Sequence, residues 1–136
     1  MEHARAIAQG CLVDKVILLR VVVPLIVDVK DYIAADRIRE AEGKLEADAR
    51  EYLEKTAAGL RKDGIPVEIR IVVDGEPAAK ILEAAKEQKA NLIIMSTHGR
   101  SGFPQWVFGS VAHRVLVHSP VPVLMTVPGA SKKYKW

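Results

Sequence analysis

The feature that most constrains this chain is an alternation. Short, nearly unbroken runs of β-branched residues and leucine take turns with longer stretches of helical periodicity. Lys15–Val23 is a run of the first kind, broken only by Arg20 and stopped by Pro24. Apolar runs without polar alternation belong to strands covered on both faces, as in parallel sheets. Asp36–Lys62 is the longest helical stretch, with Ile38, Leu45, Tyr52, Leu53 and Leu60 as its apolar stripe and charged residues around the rest. Asp63-Gly64, with Pro66 beyond, stops it. In Val67–Val73, Val67, Ile69 and Ile71 alternate with Glu68, Arg70 and Val72, which predicts a strand near a sheet edge.

Asp74-Gly75 then turns the chain. Pro77 opens a helix to about Lys89, at the position where a missing N–H costs least, with Ile81, Leu82 and Ala85 inward. Asn91–Ser96 and Val121–Val127 predict two further strands. Between them, Gly109–His118 reads as a short helix with Val111, Val115 and Leu116 inward, broken by Pro120. Met1–Gln9 is a helix end closed by Gly10, and Val27–Ala35 is a connection with little pattern. Strictly alternating helices and strands imply an α/β fold: a parallel sheet, helices on both faces, right-handed crossovers. Ligands of such sheets lie beyond the carboxyl ends of the strands, where strand order reverses.

At 136 residues the chain has room for one domain, and no boundary is visible within 1–128. The net charge of +3 owes part of its excess to Lys132, Lys133 and Lys135 in the tail 129–136. That tail reads as a solvated terminus or as an electrostatic arm. No helix carries a basic face interleaved with aromatics, so nucleic-acid binding is not expected. The most apolar region, Val16–Val27, is interrupted by Arg20 and Pro24 and is shorter than the roughly 20 residues of a membrane span. The N-terminus lacks the apolar core of a leader peptide. Cys11 is the single cysteine, so an intrachain disulfide is impossible; a buried thiol fits a reducing, cytoplasmic compartment.

The chemistry concentrates after Asn91–Ser96. Thr97-His98-Gly99-Arg100-Ser101-Gly102 leaves that strand, and the loop arrives at Gly109-Ser110-Val111, the start of a helix. Gly99 and Gly102 permit positive φ and close approach to a ligand. Successive N–H groups in such a turn form an anion-binding concavity. The free N–H groups of residues 110–112 and the helix dipole favour the same anion, and Arg100 is near enough in sequence to add a full charge. Ser110 caps its helix or binds a phosphate oxygen. A Gly-rich loop alone is weak evidence; here a buried strand precedes it and a small-residue helix start follows.

This arrangement resembles the universal stress protein family. The family's nucleotide motif is Gly, two residues, Gly, nine residues, Gly, then Ser or Thr. On this chain the second Gly is Gly99, the nine residues are Arg100 to Phe108, and Gly109-Ser110 closes the motif; Ser96 replaces the first Gly. Ser119-Pro120-Val121-Pro122-Val123 is similar to the family's approach to its last strand, and Leu18-Leu19-Arg20-Val21 and Gly75-Glu76-Pro77 also match. The resemblance implies a Rossmann-like sheet and an adenine nucleotide: ATP, or AMP or ADP. It implies ribose and phosphates against Ser96, His98, Gly99, Gly109, Ser110 and Val111, and adenine near Val21 and Met95. It further implies a role in stress response and a homodimer paired through Val121–Val127.

The resemblance also sets an expectation about the beginning. Family members open with a strand ending in an Asp-Gly-Ser-like turn, and the chain here opens inside the helix that follows. The family's sheet order is 3-2-1-4-5, so that strand would be central. Three explanations stand open: a longer parent protein, direct pairing of the Lys15–Val23 and Asn91–Ser96 strands, or a strand from a partner. A vacant slot would be about 10 Å wide, too wide for direct hydrogen bonds.

Other readings weigh less. His98 has no adjacent acid to orient it as a base and reads as a pocket-lining residue. His113 and His118 are spaced to different helix faces and read as surface residues rather than metal ligands. Cys11 lacks a resolving partner for redox sensing. Trp106 and Phe108 pack the loop or form a partner patch. No Gly-x-Ser-x-Gly elbow surrounds Ser110, and no Gly-Lys-Ser/Thr pair is present, so no catalytic residue is assigned. The alternatives to a nucleotide-binding regulator are a dimeric scaffold without nucleotide and a weak nucleotide hydrolase.

Overall fold

The computed structural model describes residues 2–11, 13–24, 32–96 and 109–126. Its elements are α1 (Glu2–Gly10), β1 (Val16–Val22), α2 (Tyr32–Lys62), β2 (Val67–Val73), α3 (Pro77–Glu87), β3 (Ile93–Ser96), α4 (Ser110–His118) and β4 (Val123–Thr126). The chain divides into two compact units, Met1–Pro77 and Ala78–Trp136. Each contains a β-α-β element with parallel strands.

In the first unit, β1 and β2 pair in register from Val16↔Val67 to Val22↔Val73. The two-residue period of a strand puts Val16 and Leu18 beside Val67 and Ile69 on one face, and Ile17, Leu19 and Val21 beside Glu68, Arg70 and Val72 on the other. The first face is the packed one. Buried Ala8, Leu60 and Ile65 gather Val13, Val16, Leu18 and Val67 around them, and α2 lies against both strands. The inward stripe of α2 is Leu53, Ala57 and Leu60, spaced one and two turns apart and nearly inaccessible. Leu45 and Tyr52, expected in that stripe, are exposed, at 43% and 60%. Neighbouring helical residues diverge by about 100°, so Tyr52 and Leu53 cannot both point inward. The helix also starts at Tyr32, earlier than its charge pattern predicts.

The end of α2 follows the sequence closely. Gly64 takes a left-handed φ of 79°. The Ile65 N–H donates to the Leu60 carbonyl at 3.2 Å and the Gly64 N–H to the Arg61 carbonyl at 3.0 Å. This is the Schellman ending, in which the residue beyond the glycine packs back on the last turn; Ile65 and Leu60 share one buried cluster. Arg5 of α1 pairs with Asp63 and donates to the Gly59 carbonyl at 3.1 Å, tying α1 to the same turn. Cys11, expected as a buried thiol, is exposed in the turn after α1.

In the second unit, β3 and β4 pair in register from Ile93↔Val123 to Ser96↔Thr126. Both are shorter than the apolar runs that contain them. α3 buries Ala78 and Ala85 and ends like α2, with the Ala90 N–H donating to the Ala85 carbonyl at 2.9 Å. Here the left-handed position is held by Lys89, at φ 49°. α4 buries Ala112 and Val115, whereas Leu116, expected inward, is 45% exposed, one 100° step round from Val115. The described ladders join β1 to β2 and β3 to β4. Direct pairing of β1 with β3, expected if those strands closed up, is not found among the described residues: each bonds to the strand its own helix returns to.

Candidate functional site

The site is built on the carboxyl edge of the second unit. α4 connects β3 to its parallel neighbour β4. Ser96 is the last residue of β3, Thr126 the last of β4 and Ser110 the first of α4.

Gly109 sits at the cap position with φ −57° and ψ 153°, and no side chain caps the helix. The first helical bond runs from the His113 N–H to the Gly109 carbonyl at 2.9 Å. Ser110 is therefore the first helical residue, not the cap expected of it; from that position its side chain cannot reach back to cap the turn. The N–H groups of residues 110–112 have no acceptor within the helix. No acidic residue stands in the first turn to neutralise the positive end of the dipole. A Cβ built on Gly109 meets nothing within 4 Å among the described residues, and its φ suits any residue.

Two hydroxyls stand at the carboxyl ends of β3 and β4. Ser96 is exposed, and its hydroxyl has no hydrogen-bond partner among the described residues. Thr126, paired with it in register, donates its hydroxyl to the Met95 carbonyl at 3.5 Å. Sequence reading passed over Thr126, whose only signal is its place at a strand end. The second unit thus holds Met95, Ser96, Gly109, Ser110 and Val111, with Met95 and Val111 half-buried. Val21 is half-buried in β1 of the other unit. His98, Gly99 and Arg100, with Trp106 and Phe108, lie outside the described residues.

Glu68, Glu51 and Lys55, surface groups of the first unit, depart from their ordinary range. Hydrogen bonds from Lys15 and then Arg70 hold the Glu68 carboxyl below its usual value. A hydrogen bond and the charge of Lys55 do the same to Glu51, and Lys55 is raised in return. In the second unit, Ala78, Ala79 and Leu82 of α3 and Arg114 and His118 of α4 line a shallow groove of about 190 Å³. His113 and His118 are exposed, and the His118 Nδ1 lies 2.9 Å from the Arg114 carbonyl. Among the described residues no helix is long and apolar enough to cross a membrane.

Parallel β-α-β elements, the second with a glycine-led helix start that no side chain caps, define an α/β protein. The family model of the universal stress proteins matches residues 1–127, and the chain belongs to that family. It is 33% identical over 94 residues to the universal stress protein YxiE of Bacillus subtilis, covering 69% of this chain and 63% of that protein. It is 33% identical over 86 residues to the universal stress protein MJ0577 of Methanocaldococcus jannaschii, covering 63% of this chain and 52% of that protein. The matches therefore span less than two thirds of these curated relatives. The solved structure of MJ0577 superposes with a TM-score of 0.74 at 28% identity, covering 93% of this chain and 83% of that one. A universal stress protein from Archaeoglobus fulgidus in complex with dAMP superposes with a TM-score of 0.59 at 25% identity, covering 90% and 81%. The fold is the Rossmann-like α/β fold of these proteins.

Proposed function

We propose that this chain binds an adenine nucleotide, ATP in the cell, at the carboxyl edge of the β3–β4 pair, and acts in stress response by holding it rather than turning it over. The observation that carries this reading is Gly109. Its backbone angles suit alanine and no described residue lies within 4 Å of where a Cβ would stand, which supports reading the glycine as room for a ligand's close approach. The unshared N–H groups of residues 110–112 offer that visitor a seat for phosphate. The dAMP held by the Archaeoglobus fulgidus relative supports an adenine nucleotide as the visitor.

In this reading the phosphates lie against Gly109, Ser110 and Val111, Arg100 adds a positive charge, and the ribose meets Ser96, His98 and Gly99, next to Met95. The protein is cytoplasmic and a homodimer through residues 121–127; the ladder on only one side of β4 among the described residues favours the pairing.

Calorimetric titration with ATP tests the site. The unaltered protein gives a saturable heat, and Gly109→Ala weakens binding about tenfold or more while its melting temperature stays within a degree or so, since no described residue lies within 4 Å of the new methyl. No binding by the unaltered protein, or equal binding by the variant, ends the proposal. Phosphate release above background with Mg²⁺ present would favour the hydrolase reading instead.

A further inference from the structure

We draw no further inference here: the strongest candidate, the apolar stripe of Ile38, Leu45 and Tyr52 along α2, carries nothing because nothing in the structure shows what covers it.

Discussion

Two residues do the same backbone work at different cost. Gly64 and Lys89 both hold the left-handed position that ends a helix, at φ 79° and 49°. Glycine takes that conformation freely, whereas a residue with a Cβ gives up about 1–2 kcal/mol. Lys89→Gly is therefore expected to stabilise the protein by about 0.5–1 kcal/mol, and Gly64→Ala to destabilise it by about 1 kcal/mol or more, both read as shifts in thermal melting. The first turn was legible because Asp63-Gly64 followed by Pro66 is a stop signal. The second was not, because a lysine carries no mark of left-handed geometry; only the backbone shows it. Glu68 offers a test of charge. With Lys15 and Arg70 beside it, its carboxyl titrates below the ordinary range. A carboxyl lowered on folding adds stability above its unfolded pKa, and that contribution fades as pH falls through the folded value. Lys15→Met should move the Glu68 midpoint up toward the ordinary carboxylate value in an NMR pH titration; an unmoved midpoint would leave Lys15 without the role given to it.

Among the elements, α2 shows what a pattern in sequence conceals. Its stripe was read from large apolar residues, so Leu45 and Tyr52 were counted and Ala57 was not. The structure reverses this, since Ala57 is fully buried and the other two are exposed. Small residues on an inward face let a helix approach a sheet, and they carry little weight in any hydrophobic count. Three variants separate the two assignments. Leu60→Ala should cost about 2–5 kcal/mol in denaturant unfolding. Ala57→Leu should cost about 1–3 kcal/mol by overpacking. Leu45→Ala should stay within about 0.5 kcal/mol. Equal losses at Leu45 and Leu60 would restore the stripe first read from the sequence. The start of α4 is a milder case: the loop-to-helix junction was legible to the residue, but whether Gly109 or Ser110 occupies the cap depends on backbone angles no sequence prints.

For the whole chain, the order of helices and strands followed from periodicity, and with it the α/β class. Which strands share a ladder did not follow from periodicity, because pairing is a non-local choice; it followed from the family's order 3-2-1-4-5, which puts β1 beside β2 and β3 beside β4, as found. The β1–β3 pairing expected to close the gap is not found among the described residues. The candidate site was legible as a motif, while the backbone angles of Gly109 and the absence of described neighbours around it needed coordinates. Sedimentation with a reductant present, at several protein concentrations, is expected to show a homodimer; a monomer at the highest concentration would remove the pairing through residues 121–127. The reductant matters because of Cys11. An exposed thiol on a turn is available to the same thiol of another molecule, and dissolved oxygen is enough to take up the two electrons as the disulfide forms. Aged protein should therefore show a covalent dimer on a non-reducing gel, and Cys11→Ser should abolish that band while leaving the sedimentation dimer intact. A purification that lets this oxidation proceed would yield twofold particles joined at the end of α1, and their apparent affinity for one another would owe nothing to a strand edge.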